Sequence, residues 1–192
     1  MEPRNEDYGI VLEVLAGDRN AYAEIVRKYE QRVRGYCRTM LSELASAEDA
    51  AQEIFMKAYQ GLENFHGSAS FSTWLYRITL NHCTDLLRKR ACRKEESWEK
   101  LLEDQGDRIE KLLAVQPETV PDQERNEFVE RFLSLLPEKS RQILILRELQ
   151  GLSYQEIAAV LQCTLDAVKA RLKRARQEVE LKLRHFPARK NV

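Results

Sequence analysis

The chain has 192 residues, which is enough for one large domain or two small ones. Hydrophobic residues make up 43% of it and charged residues 32%, and no apolar run approaches the roughly 18 residues that a membrane-spanning helix needs. Residues 1–9, MEPRNEDYG, also lack the apolar segment of a signal peptide. We therefore expect a folded cytoplasmic protein with no membrane insertion.

The formal net charge is zero, but the charges are unevenly distributed. Residues 95–126 hold ten acidic side chains against four basic ones, a net charge of −6. Residues 165–176 hold five basic side chains against one acidic one, a net charge of +4. Basic surfaces joined by an acidic connector are compatible with nucleic-acid binding despite the neutral total.

Helical periodicity is nearly continuous, and no segment alternates with period two for long enough to predict a sheet. The sequence predicts an all-α fold of two small helical domains, at 1–91 and 124–192, joined by a flexible acidic linker at 92–123. The predicted helices are 7–16, 19–44, 47–62, 70–91, 124–136, 138–150, 153–161 and 165–184.

The helix predicted at 47–62 carries a small acidic and polar patch. Ser46 with Asp49 three residues later resembles a capping box at its start. Asp49, Gln52 and Glu53 lie within about one turn, so they form either a contact for a basic partner helix or an ordinary solvated face.

The most informative segment is 65–94, FHGSASFSTWLYRITLNHCTDLLRKRACRK. Two sides of the helix predicted there are apolar, and one polar stripe remains to be presented to a partner. That stripe holds Trp74, Arg77, Asn81, Thr84 and Arg88. The helix ends in five cations within seven residues, at 88–94. Aromatic rings beside cations suit single-stranded nucleic acid, although a core helix with a solvated basic end would have the same pattern.

Residues 151–177 have the pattern of a helix-turn-helix. Ser153 and Glu156 form a capping box, the turn is Gln162-Cys163-Thr164, and Thr164 is placed to cap the second helix. Five apolar side chains of that helix are predicted to pack inward: Leu165, Val168, Leu172, Ala175 and Val179. The opposite face carries Asp166, Lys169, Ala170, Lys173, Arg174 and Gln177. In this motif the free face of the second helix enters the major groove of duplex DNA.

Several blocks together resemble one protein family. These are GDRNAYAEIVRKYEQRVRGYC (17–37), AEDAAQEIFMKAY (47–59), FSTWLYRITLNHCTDLLRKR (71–90), LPEKSRQILILRELQGLSYQEIAAVL (136–161) and AVKARLKRAR (167–176). In order, spacing and total length the chain resembles an extracytoplasmic-function (ECF) RNA polymerase sigma factor of the sigma-70 family. The resemblance covers nearly the whole chain, and it implies a non-enzymatic, DNA-binding subunit of RNA polymerase that acts in transcription initiation.

The resemblance implies roles for residues of the first domain. The segment at 47–59 is similar to the part that docks on core RNA polymerase, and Asp49, Gln52, Glu53 and Phe55 are the implied contacts. The loop around 64–72 is similar to one that captures a base flipped from the nontemplate strand of the minus-ten element. The implied DNA contacts are His66, Ser68, Ser70, Phe71, Trp74, Arg77, Asn81 and Arg88. For Trp74, packing within the domain remains an alternative.

For the second domain, the resemblance implies recognition of the minus-thirty-five element through Asp166, Lys169, Ala170, Lys173, Arg174 and Gln177. Family members often have Gly-Thr where this chain has Asp166-Ala167, so the role of Asp166 stays open. The acidic linker is expected to thread the polymerase cleft, or to serve only as a tether. The resemblance also implies an anti-sigma factor as a partner.

Two other classes of function remain to be weighed against a sigma factor. A stand-alone helix-turn-helix regulator would explain 151–177 but not 47–59 or 65–94. An enzyme would need a catalytic cluster, and the sequence has no metal-binding or phosphate-binding motif. The four cysteines are not paired as CxxC, and we expect reduced thiols and no metal or other cofactor. His82 lies on an apolar stripe and is predicted to be buried.

Overall fold

A computed structural model describes residues 6–41, 44–91 and 122–184, and every regular element in these ranges is helical. The N-terminal helices are α1 (Glu6–Leu15), α2 (Tyr22–Leu41), α3 (Leu44–Gln60) and α4 (Phe71–Ala91), with 3₁₀ turns at Arg19–Ala21 and Leu62–Asn64. The C-terminal helices are α5 (Asp122–Ser134), α6 (Glu138–Leu144), α7 (Tyr154–Leu161) and α8 (Leu165–Arg184). A π-helical turn, Ile145–Leu149, continues α6. The predicted all-α fold is confirmed.

The predicted linker lies outside the described residues except for positions 122 and 123. In the parts of the chain that the structure describes, no helix is long and apolar enough to cross a membrane.

Several helices begin at a side-chain cap. At α7, Ser153 accepts a hydrogen bond from the Glu156 amide and the Glu156 carboxylate accepts one from the Ser153 amide, so the predicted capping box is confirmed. Thr164 caps α8 by accepting from the Ala167 amide at 3.2 Å. The capping box predicted at Ser46 is wrong as a helix start, because α3 already begins at Leu44.

The N-terminal helices pack around one buried side of α2. Its side chains at 25, 29, 33, 36 and 40 are each less than 5% exposed, and their spacing of three or four residues places them on one stripe. Helices α3 and α4 pack against this stripe. Burying each large apolar side chain stabilises the fold by about 1.5–3 kcal/mol. This core holds α3 and α4 side by side, so both predicted functional segments share one rigid support.

The helix-turn-helix packs on α6. In α8, Val168, Leu172 and Ala175 are almost fully buried, as predicted, and Val179 is partly buried against the same core. Leu165, also predicted to point inward, is instead 41% exposed. It is the first residue of α8, where the chain has only just left the turn.

Arg141 of α6 ties the N-terminal and C-terminal helices together. Its guanidinium donates to the Met40 carbonyl at 2.9 Å, to the Leu136 carbonyl at 3.2 Å and to the Ser134 carbonyl. Met40 lies in the last turn of α2, and Ser134 ends α5. Carbonyls at the ends of helices lack intrahelical donors, and a cation there also complements the helix dipole. One side chain therefore satisfies the ends of two helices from opposite halves of the chain.

A second contact between the halves lies along α4. The Tyr76 hydroxyl donates to Gln150 Oε1 at 2.6 Å, and Gln142 Nε2 donates to Thr84 Oγ1 at 2.8 Å. Thr84 belongs to the polar stripe predicted on this helix, and it is buried. The partner of this part of the stripe is thus the C-terminal half of the same chain.

We expect Arg141→Met to lower the free energy of unfolding by about 2–4 kcal/mol, because it leaves buried carbonyls without donors. Urea denaturation followed by circular dichroism measures the change. The matched control is Arg176→Met, which removes an exposed ion pair with Glu148 and should cost about 0–1 kcal/mol. Equal losses in the two variants would contradict the role given to Arg141.

Candidate nucleic-acid and protein interfaces

The residues predicted on α3 divide between its outer face and its inner edge. Asp49, Gln52 and Glu53 are exposed, as a docking patch requires. Phe55 is only 8% exposed, and its carbonyl accepts a hydrogen bond from the Tyr22 hydroxyl at 2.7 Å. Phe55 therefore packs in the core beneath the exposed patch.

A groove of about 570 Å³ runs between α2 and α3 beside this patch. Met56 and Tyr59, which are 61% and 40% exposed, form part of its apolar wall. The rim is charged: Arg34 donates to Glu30 at 2.9 Å and to Glu48 at 2.6 Å. An apolar groove with a charged rim fits the apolar face of an amphipathic helix.

Met56 and Tyr59 were not among the residues predicted for this surface. Their spacing from Gln52, four and then three residues, would have placed all three on one face of α3. The signal was missed because apolar residues at this spacing usually belong to a core.

His82 lies beneath α3 and is only 5% exposed, so its predicted burial is confirmed. Lys57 Nζ lies 2.6 Å from His82 Nδ1, and since an ammonium only donates, Nδ1 must accept. The neutral ring then carries its proton on Nε2, 3.5 Å from Glu53 Oε2. Burial lowers the pKa of His82, and the charge of Lys57 lowers it further, while Glu53 opposes the shift.

The loop before α4 is open at its tip and fixed at its end. His66, Gly67 and Ser68 are exposed, and Gly67 has a positive φ of 71°. Ser70, predicted as a DNA contact, is half-buried and caps α4: its Oγ accepts from the Thr73 amide at 3.2 Å and lies 2.8 Å from the Thr73 hydroxyl. The loop therefore offers small side chains and backbone groups at its tip only.

Two aromatic residues predicted at the minus-ten surface belong to a cluster in the core. Phe71 is fully buried, and its ring centre lies 5.4 Å from that of Trp74 and 5.3 Å from that of Phe65. Direct contact between Phe71 and DNA is therefore excluded in this arrangement. Trp74 is half-buried in the same cluster, which favours its packing role.

The other predicted minus-ten residues differ in their exposure along α4. Asn81 and Arg88 are exposed. Arg77 is half-buried and donates to the Ala159 carbonyl of α7 over a long 3.4 Å. Its Nε is buried and finds no hydrogen-bond partner within the described residues. The C-terminal half thus partly covers Arg77, whereas Asn81 and Arg88 of the same stripe remain exposed to solvent.

The predicted reading face of α8 is free. All six of its residues are exposed: Asp166, Lys169, Ala170, Lys173, Arg174 and Gln177. Lys169 Nζ lies 3.1 Å from Asp166 Oδ1, so the acidic side chain at the helix start is partly neutralised by its neighbour. Gln162, at the turn, takes the left-handed conformation with φ 50°. The surface that remains is cationic and lies on a helix held rigidly by its buried side.

Two protein-family models match separate parts of the chain. The family model for sigma-70 region 2 matches residues 25–92, and the model for sigma-70 region 4 matches residues 129–179. The chain is 35% identical to the RNA polymerase sigma-H factor of Pseudomonas aeruginosa over 184 residues, which cover 94% of this chain and 95% of that protein. The chain belongs to the ECF group of the sigma-70 family.

Other similar proteins support the assignment of this chain to the ECF sigma factors. The ECF RNA polymerase sigma-E factor of Escherichia coli K12 is 32% identical over 188 residues, covering 95% of this chain and 97% of that protein. CnrH in complex with the cytosolic domain of CnrY has the same fold, with a TM-score of 0.70, 23% identity and coverage of 94% of this chain and 99% of that one. The sigma factor RpoE of Bartonella quintana, in complex with the anti-sigma factor NepR, has a TM-score of 0.62, 22% identity and coverage of 85% and 96%.

The buried histidine of this sigma factor gives a pH-dependent stability. Its folded-state pKa lies below the unfolded value of about 6.5, so the unfolded state binds more protons as the pH falls through this range. We therefore expect stability to fall as the pH drops from about 7 through the unfolded-state pKa of about 6.5, and His82→Gln to flatten that fall. Thermal unfolding across this pH range tests it. The exposed His66→Gln is the control, and equal pH profiles for the wild type and His82→Gln would refute the contribution.

Proposed function

We propose that this chain directs core RNA polymerase to promoters through three separate surfaces. The outer face of α3, with the groove beside it, docks on polymerase. The loop tip and the exposed stripe of α4 hold the unpaired minus-ten strand. The exposed cationic face of α8 reads the minus-thirty-five duplex. The chain itself supplies recognition and strand capture and has no chemical step, so it is not an enzyme.

The observation that carries this proposal is the free cationic face of α8. Lysine and arginine on an exposed helix can reach guanine acceptors and phosphates in the major groove. That face alone would also suit a stand-alone regulator. The docking patch and groove on α3 support a sigma factor, since a regulator needs no polymerase-docking surface.

The contacts of Arg77 support a further part of the proposal. In the described arrangement Arg77 is engaged by α7, whereas the reading face of α8 is open. We infer that the two halves separate before Arg77 contacts the minus-ten element, and that this occurs on polymerase. The solved relatives in complex with CnrY and NepR support an anti-sigma factor as a further partner, which would act on the same surfaces in the cytoplasm.

Run-off transcription tests the function directly. Core polymerase with the full chain should transcribe a subset of a genomic promoter library, and core polymerase alone should not. The chain alone should bind the selected duplex promoters weakly. Tight duplex binding without polymerase, together with no run-off products, would identify a stand-alone regulator instead.

Reversing the charge of Asp49 and Glu53 together, to lysine, should weaken binding to core polymerase by about 2–5 kcal/mol, the usual cost of breaking a desolvated charged contact. A polymerase binding assay measures this, with circular dichroism to confirm the fold. The control Glu13→Lys/Glu24→Lys reverses two exposed charges elsewhere on α1 and α2. Unchanged affinity in the Asp49/Glu53 variant would remove this patch from the interface.

Variants in α8 and in α4 should impair two different steps, duplex recognition and strand opening. Replacing Lys169, Lys173 and Arg174 with alanine should weaken closed-complex formation, each lost base contact costing about 1–3 kcal/mol and each lost phosphate contact lowering the salt dependence. Asn81→Ala should leave promoter location intact but reduce opening. Duplex binding and permanganate footprinting of unpaired thymines measure the two steps.

The controls for this prediction use the same helix and a changed template. Arg184→Ala removes an exposed cation from α8 far from its N-terminal end and should affect neither step. A template melted in advance across the minus-ten region should rescue Asn81→Ala only. If both groups of variants fail at one step, the division between α4 and α8 is wrong.

A further inference from the structure

Helix α1 places an aromatic ring against the loop before α4. A Cβ added to Gly67 would lie 3.2 Å from Tyr8 Cε2 and 3.3 Å from Tyr8 Cδ2. The Tyr8 ring therefore covers the loop backbone closely, and a side chain at position 67 would require the ring to move by a few tenths of an ångström. Glycine is favoured at position 67 for two reasons: the ring leaves little room for a side chain, and the φ of 71° is unfavourable for other residues.

The position of this ring is fixed by its neighbours. Asp7, the preceding residue, is only 4% exposed, and its carboxylate accepts from the Tyr29 hydroxyl and from Lys28 Nζ, both at 2.6 Å. On the other side, the Tyr8 ring meets Phe65 edge-on, with ring centres 6.0 Å apart. The first turn of α1 is thereby clamped to α2, and Tyr8 has little freedom to leave the loop.

The residue is nevertheless partly exposed to solvent: Tyr8 is 37% exposed as a whole, and the adjoining His66, Gly67 and Ser68 are exposed as well. A fixed, partly exposed aromatic ring beside small loop residues is a surface on which an unpaired base can stack, and every base has a face that can do so. Its low mobility is an advantage, because little conformational entropy is lost on binding.

We propose that Tyr8 of α1 stacks on an unpaired base of the nontemplate strand at the loop of residues 66–68. This inference deepens the proposed function, on which it rests. It extends the minus-ten surface from α4 and its preceding loop to the first helix of the chain, and gives Tyr8 a role in strand capture.

A purely structural role for Tyr8, as a cover for Gly67, makes different predictions. Leucine would still cover the loop with apolar surface but could not stack. Phenylalanine would keep both the cover and the stacking face. The two substitutions therefore separate the roles without removing the side chain.

The test uses holoenzyme assembled from core polymerase and the full chain. The probe is a fluorescent forked DNA from a promoter selected by run-off transcription, with its nontemplate minus-ten strand unpaired. Tyr8→Phe should bind within about twofold of the wild type. Tyr8→Leu should bind about 5- to 150-fold more weakly, the range that corresponds to losing one stacked base. Leu15→Ala, on the same helix and 45% exposed, is the control and should bind normally.

A second series of forked DNAs, each with one abasic site in the nontemplate strand, locates the base. At one position the wild type should lose affinity and the difference between wild type and Tyr8→Leu should disappear. Wild-type affinity in Tyr8→Leu, or an undiminished difference on every abasic probe, would overturn the stacking role. If the wild-type holoenzyme itself failed to bind the fork, the proposed function would fail instead.

Discussion

The arrangement of the whole molecule depends on the guanidinium of Arg141. Two helices, α2 and α5, end near each other, and helix ends carry carbonyls that no intrahelical amide can satisfy. Arg141 donates to both ends and to the chain leaving α5. Burial lowers the pKa of this guanidinium, yet an arginine remains charged under all ordinary conditions. Carbonyl dipoles therefore stabilise the charge of Arg141. The two halves are joined at helix ends whose carbonyls would otherwise lack hydrogen-bond donors.

Much of the fold could be predicted because it depends on local chemistry. The periodicity of apolar residues predicted every described helix, and the capping residues Ser153 and Thr164 were identified correctly. The errors have local causes as well. Ser46 has the pattern of a cap, but the preceding residues have helix propensity, and α3 begins two residues before Ser46. Leu165 follows the apolar spacing of α8 but precedes the part of that helix which is covered.

The candidate site was harder to predict, since a sequence shows which face of a helix is polar but not what covers it. The exposed face of α8 was predicted correctly because a helix-turn-helix has one fixed way to pack. On α4, the burial of Phe71 against Tyr29 and the contact of Arg77 with α7 depend on residues distant in sequence, whereas the Ser70 cap is local. Tyr8 could not be found from periodicity at all, because its importance comes from Gly67, 59 residues further along.

The contact between α4 and the C-terminal half of the chain has a consequence for how far the two halves can reach. Two of its hydrogen bonds, between Tyr76 and Gln150 and between Gln142 and Thr84, join neutral side chains, and each contributes a net free energy of only about 0.5–1.5 kcal/mol. Two promoter elements about 25 base pairs apart are separated by roughly 85 Å, at about 3.4 Å per base pair. A covalent chain such as residues 92–121 can reach at most about 100 Å when fully extended. The proposed function requires the same polypeptide to hold its two halves in contact and also to let them reach DNA elements far apart. That change breaks the Arg141–Met40 hydrogen bond and the Arg38–Glu130 ion pair as well as the neutral bonds.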